Sequence, residues 1–159
     1  MDRDAFVRAL GGIYENSPWV AEAAWEARPF PSLVELHQAM SKAVRLAGPK
    51  RQEALIKAHP ELGQRAESLP MSDASRREQA SAGLHSLSPG ERERLLFLNQ
   101  RYRERFGFPF IMAVKGATPS LILANLERRL ENSAEDELAT ALAEIDKIAL
   151  LRLCEVVVA

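Results

Sequence analysis

A single cysteine, Cys154, stands in the 159 residues. That excludes an internal disulfide and any zinc site built from several thiolates. Placed late in a hydrophobic helix, Cys154 reads as a small core residue. No apolar run approaches the ~18 residues of a spanning helix, so no membrane partner is expected. Neither sign of charge dominates: 21 basic residues meet 22 acidic ones, for a net charge of -1. The two signs are mixed along the chain, which leaves no electrostatic footprint for nucleic acid. HExxH, a glycine-rich phosphate loop and a GxSxG elbow are all missing, and nothing has metal-ligand spacing. The N-terminal MDRDAFVRAL is too charged for a secretory signal, and the C-terminal CEVVVA is not a peroxisomal address. A cytoplasmic setting is the expectation.

What is present is helix. Hydrophobic residues make up 47% and charged residues 27%, ordinary for one soluble domain of this length. Start and stop signals recur along the chain. Asp2 to Leu10 opens the series and Gly11-Gly12 closes it. Ser17-Pro18 reads as an N-cap with proline at the first helical position, and Arg28-Pro29-Phe30-Pro31 ends that helix. Ser32 with Glu35 has the capping-box pattern before a helix that stops at Gly48-Pro49. KRQEALIKA follows and should end at His59, because Pro60 disfavours helical geometry in the residue before it. Glu61 to Met71 reads as loop, with Leu69-Pro70 as a breaker. Ser75 with Glu78 repeats the capping box ahead of a helix to about Leu87. Ser88 with Glu91 opens a longer helix, Thr118-Pro119 another, and Ser133 with Asp136 the last, which runs towards Val158. The expected fold is all-α: a single-domain bundle of about eight helices spanning residues 1–159.

One stretch breaks the pattern. Gly107 to Gly116, GFPFIMAVKG, is apolar, bounded by glycines and interrupted by Pro109. It predicts an extended segment between two late helices, whose backbone N–H and C=O groups must find partners outside any helix. A small polar ligand would serve, and so would neighbouring loops or ordered water.

Three side chains carry candidate chemistry. His59 sits at a helix end, where the dipole favours its protonated form; it is either a proton donor or a plain helix terminator, whereas His37 and His85 sit within helices. Glu78 is either half of a capping box or a carboxylate beside Gln79 and the small residues Ala80 to Gly83. Arg152 follows Leu138, Leu142, Ile145 and Ala149 at helical spacing. A guanidinium on that apolar stripe must snorkel or find an anion: Glu155, a glutamate on another helix, Glu78, or a substrate carboxylate. Tyr102-Arg103-Glu104-Arg105 reads as a solvated helix face.

GGIYENSPWVAEAAW, KAHPELG, SRREQASAGL, YRERFGFPFIMAVKG and the closing LRL occur in an order and spacing that cover nearly the whole chain. Together they resemble the 2-oxo-4-hydroxy-4-carboxy-5-ureidoimidazoline (OHCU) decarboxylases, which act at the third step of urate degradation to (S)-allantoin. The resemblance implies an all-helical homodimer that needs no metal or organic cofactor and takes OHCU as its small-molecule substrate. It implies His59 as proton donor with Glu78 as its acidic partner. Substrate binding falls on Pro60, on Ser75, Arg76, Arg77, Glu78 and Gln79, on the backbone of Phe110, Ile111, Met112, Ala113 and Val114, and on Arg152. The missing peroxisomal tripeptide suggests a bacterial, cytoplasmic member. Two other readings stay open: a non-catalytic helical module that binds a partner protein through GFPFIMAVKG, and a decarboxylase of a related imidazoline acid.

Overall fold

Side-chain caps set most of the helix starts. The computed structural model describes residues 2–63 and 71–157, with eight helices and no strand among them. Asp2 accepts from the Ala5 N–H to open α1 (Arg3–Leu10). Ser32 does the same from Glu35 for α3 (Leu33–Leu46). Its hydroxyl donates to the Glu35 carboxylate, so only one half of the expected box forms. The full reciprocal box appears at Ser88 and Glu91. It opens α6 (Pro89–Phe106), which Gly107 closes in the left-handed conformation. Thr118 caps α7 (Pro119–Arg129), and Ser133 accepts from Asp136 at the start of α8 (Ala134–Val157). Each such cap contributes about 1 kcal/mol.

Several expectations need correction. Ser17 does not cap α2 (Trp19–Trp25): its hydroxyl turns back to donate to the Glu15 carbonyl, and Pro18 precedes the helix without a side-chain cap. The helix α4 (Pro49–Ala58) stops one residue before His59. The true cap of α5 (Asp73–Ser81) is Ser72, whose Oγ accepts from the Ser75 N–H. Ser75 therefore lies inside the first turn and Glu78 mid-helix. That helix ends well short of Leu87. Gly83 takes a positive φ of 78°, its N–H bonds the Ala80 carbonyl, and the Leu84 N–H bonds the Gln79 carbonyl. This is a Schellman ending, for which glycine is the favoured residue, and it leaves His85 in a turn. The expected loop from Glu61 to Met71 is non-helical at its ends, while Leu69-Pro70 lies outside the described residues.

Contacts divide the chain into two compact units, one up to Ala58 together with the chain from Ile145, the other from His59 to Glu144. In the first, α2 packs on α1 and α3. Leu36, Met40 and Val44, four residues apart, form the buried stripe of α3. Asp146 is the polar hub of this unit. Its carboxylate accepts from the Tyr14 and Ser41 hydroxyls at 2.9 Å each, and its carbonyl accepts from His37 Nε2 at 2.8 Å. Burial first, then the Asp146 charge and hydrogen bond, pushes the Tyr14 pKa far above its ordinary value, so the phenol stays a donor.

In the second unit α6 packs on α7, and the polar hub is an ion pair. Arg129 Nε and Nη2 each lie 2.8 Å from Glu137 Oε1, with side chains 3% and 0% exposed. Tyr102 donates its hydroxyl to the same oxygen, and Asn132 Nδ2 bonds Oε2 at 2.8 Å. Tyr102 is thus buried, not part of a solvated face, because it continues the apolar side of α6 set by Leu95 and Leu98. The buried face at the start of α8 is likewise Glu137 and Ala141, with Leu138 and Leu142 only half-buried. Cys154 is exposed, contrary to expectation, because it lies off the face formed by Ala149, Arg152 and Leu153. No described helix is long and apolar enough to cross a membrane.

Breaking a buried pair strands a charge and costs about 3–5 kcal/mol. Urea unfolding of Glu137→Leu should show a loss of that order. Adding Arg129→Met in the same chain should recover a large part of it; strictly additive losses would count against the ion pair as the unit's hub.

Candidate active site

Most of the predicted site residues fall in the second unit. His59 is the first residue after α4 and is 4% exposed, and Pro60 behind it is buried too. On α5, Ser75, Glu78 and Gln79 share one face by helical spacing. Ser75 is buried, while Glu78 and Gln79 are half-buried. Arg76 and Arg77 lie off that face and are exposed, with Arg76 paired to Asp73 at 3.3 Å. Because Ser72 is the cap, Ser75 and Glu78 do not form the expected capping box.

Gln79 connects this helix to the turn that follows His59. Its Oε1 accepts from the Gly63 N–H at 3.0 Å. A backbone N–H can only donate, so the amide's orientation is fixed and its NH2 group remains as donor. The same turn is tied to α6: Asn99 Nδ2 donates to the Leu62 carbonyl at 3.0 Å, and Arg103 pairs with Glu61 at 3.0 Å.

Phe110 to Val114 is extended and mostly buried, with Ala113 half-buried. Two of its backbone groups meet side chains from helices. Arg129 Nη1 donates to the Ile111 carbonyl, and the Ala113 N–H donates to Glu144 Oε1 at 3.1 Å. The Arg129 guanidinium also lies over the Phe110 ring, 4.5 Å from its centroid. Tyr102 packs its ring against Phe108 and Phe110 at 5.9 and 5.4 Å between centroids. The segment is therefore seated on the same buried hub that joins α6, α7 and α8. Charged side chains, rather than the loops or water considered from the sequence, meet these two groups.

Arg152 belongs to the other unit. It is 3% exposed, donates from Nη1 to the Ile13 carbonyl at 3.3 Å and lies 3.7 Å from Glu15 Oε1. Its anion is thus a buried glutamate ahead of α2, and Glu155 is exposed. Two surface hollows, of about 500 Å3 beside Phe97 and Arg101 and about 460 Å3 beside Trp19 and Ala43, involve none of the predicted site residues. Among the described residues no group of three His, Cys, Asp or Glu side chains is placed to hold a metal ion.

Arg129, Glu137, Glu144, Asn99 and Glu15 are not among the residues predicted from the sequence, and Tyr102 is predicted there as solvated. For three of them a signal existed. Asn99 and Tyr102 continue the stripe of Leu95 and Leu98, and Arg129 continues that of Ile122 and Leu126. A polar residue on an apolar stripe was the criterion that singled out Arg152, and it applies equally to these.

The described part of this all-helical protein thus carries a buried imidazole, a carboxylate-bearing helix face and a pinned peptide segment, the groups that the sequence singles out. The chain belongs to the OHCU decarboxylase family, whose model matches residues 1–154. It is 54% identical over 155 residues to the 2-oxo-4-hydroxy-4-carboxy-5-ureidoimidazoline decarboxylase of Haloferax volcanii, covering 98% of this chain and 90% of the relative. It is 46% identical to the uric acid degradation bifunctional protein of Bacillus subtilis, matching 99% of this chain but 31% of that longer one. Among solved structures it resembles an (S)-allantoin synthase at TM-score 0.80 and 33% identity, over 98% of this chain and 51% of that one. An OHCU decarboxylase crystallised in the presence of (S)-allantoin shares the fold at TM-score 0.73 and 24% identity, over 96% of each chain.

Glu61 allows a test of the turn's burial. Desolvation, the larger cause, raises its pKa above the ordinary carboxylate value, and Arg103 opposes the shift. A raised pKa means the folded state holds the proton more tightly. The associated stability is full below the unfolded pKa and is lost as pH rises through the folded one. Glu61→Gln should therefore gain in Tm relative to the unsubstituted protein as pH rises through the window just above the ordinary carboxylate range. A pH-independent difference between the two melting curves would contradict this.

Proposed function

We propose that this chain is an OHCU decarboxylase acting without a cofactor, converting OHCU to (S)-allantoin and CO2 as one domain, as a homodimer, in the cytoplasm. The observation that carries the reading is the bond from Gln79 to Gly63. It ties the Ser75–Gln79 helix to the His59-Pro60 turn, the two motifs that this reading puts in one site.

The chemistry asks three things of the protein. The bond between the ring carbon and the carboxylate breaks, CO2 leaves, and the electron pair moves into the adjacent C=N. That group is already an electron sink, so the substrate carries what pyridoxal or thiamine would otherwise supply. The nitrogen takes a proton. The resulting enol becomes a carbonyl as the ureido-bearing carbon is protonated on one face and the hydroxyl gives its proton up. Net, one proton is consumed per CO2 released. The protein must orient the carboxylate, stabilise charge on the ring and deliver the stereochemistry-setting proton from one side.

His59 is the proton donor in this reading and Glu78 the carboxylate that orients it and favours its charged form. Peptide groups of Phe110, Ile111, Met112, Ala113 and Val114 offer alternating donors and acceptors, complementary to a ureido group and a cyclic amide. The pinning of that segment by Arg129 and Glu144 supports this role, because preorganised dipoles need no rearrangement during reaction. Gln79 serves as a donor through its NH2 group. Pro60 and the Ser75-Arg76-Arg77 stretch of α5 complete the binding surface in this reading. Arg152 has the buried Glu15 carboxylate beside it and donates to the Ile13 carbonyl.

His59→Ala and Glu78→Ala should each fold yet lose about 10²- to 10⁴-fold in rate, the usual worth of a positioned acid–base group. Because OHCU decays spontaneously to racemic allantoin, circular dichroism of product from freshly made substrate is the readout. Full (S)-selective turnover in either variant would refute the assignment.

A further inference from the structure

The turn behind His59-Pro60 is held at a single peptide group. The carbonyl of the Leu62–Gly63 peptide accepts from Asn99 Nδ2 on α6, and the N–H of the same peptide donates to Gln79 Oε1 on α5, both at 3.0 Å. Rotating this peptide by a half-turn would set carbonyl against carbonyl at one end and N–H against amide N–H at the other. Both bonds would be lost together. Gly63 has φ +79°, a conformation open to glycine, and a Cβ there would come within 2.6 Å of Leu95 Cδ2. Leu95 lies one turn before Asn99 on α6, so the glycine permits the close approach that lets Asn99 reach the carbonyl.

Little slack separates this peptide from the imidazole. Pro60 fixes its own φ and restricts that of His59. Leu62 is 6% exposed, and Glu61 is paired with Arg103. An orientation imposed at Leu62–Gly63 is therefore passed back along a short, stiff stretch of chain.

We propose that Asn99 and Gln79 form a two-amide clamp on the Leu62–Gly63 peptide that sets the position of His59, which makes Asn99 a positioning residue for the reaction. The inference rests on the reading of His59 as the proton donor. Asn99 acts through the turn and has no role as a proton carrier.

The test uses Asn99→Leu, close in size but unable to hydrogen-bond, and Asn99→Asp, of the same shape but with a carboxylate facing a carbonyl. Each should lower kcat for OHCU by about tenfold to a hundredfold, the scale of a small misplacement of a catalytic group, with KM little changed. The enantiomeric excess of allantoin should fall with it. By NMR, the titration midpoint of the His59 ring should move and the Gly63 amide should exchange faster, while exchange within α7 stays as it was. If Asn99→Leu does not fold, Asn99→Asp carries the same expectations, and its defect should shrink at low pH, where a protonated carboxyl can donate to Leu62. Unchanged kcat, or a loss of kcat without any change at His59 and Gly63, would overturn the clamp. If the unsubstituted protein left OHCU untouched, the functional reading alone would fall, and the two NMR measurements would decide the clamp.

Discussion

The second unit depends on one buried ion pair. Arg129 and Glu137 are sealed from water, so each ion gives up hydration worth several kcal/mol that their attraction and hydrogen bonds must offset. The geometry meets that demand. Glu137 accepts from Arg129, Tyr102 and Asn132, and Arg129 turns its remaining Nη1 to the Ile111 carbonyl. Burial first, then the hydrogen bond to Glu137, raises the Tyr102 pKa far above its ordinary value, which keeps the hydroxyl protonated as the donor this arrangement requires. Three helices and the extended segment thus meet at charged groups that cannot be rearranged singly.

Seen from there, the candidate site is an outgrowth of helix packing. The Phe110–Val114 segment forms neither helix nor sheet, and two of its peptide groups are held by Arg129 and Glu144. The turn after His59 is likewise held by Asn99, Gln79 and Arg103. In both cases irregular backbone is fixed by side chains from rigid helices. That is the arrangement a site needs when its groups must stand ready before the ligand arrives.

The helices were legible because their signals are local. Asp2, Ser32, Ser88, Thr118 and Ser133 mark starts through bonds to residues three positions on. Ser75 with Glu78 carries the same pattern, yet Ser72 is the cap and Ser75 lies inside the first turn. The glycine ending at Gly83 is local too, and it cuts short the helix expected to reach Leu87. The motif residues are legible only through the family resemblance, since nothing in their local pattern sets His59 or Glu78 apart from a helix terminator or half of a capping box. The rest was hidden for a physical reason. Arg128 and Arg129 are adjacent, as are Asp136 and Glu137, and only the phase of helix packing decides which member of each pair is buried. Asn99 and Tyr102 were reachable from periodicity, but their partners, a loop carbonyl and a glutamate on another helix, were not.

The pinned segment also bears on how such a protein drifts under selection. Peptide groups are the same in every residue except proline. Under the proposed function, a surface that reads its ligand through the backbone of Phe110 to Val114 keeps its donors and acceptors through most side-chain replacements there. Mutation at these positions acts on volume and seating, so the segment's shape can be retuned while its polar pattern is inherited intact. Variation that alters the polar pattern itself has to strike at a distance, at the arginine and glutamates that decide how the segment lies.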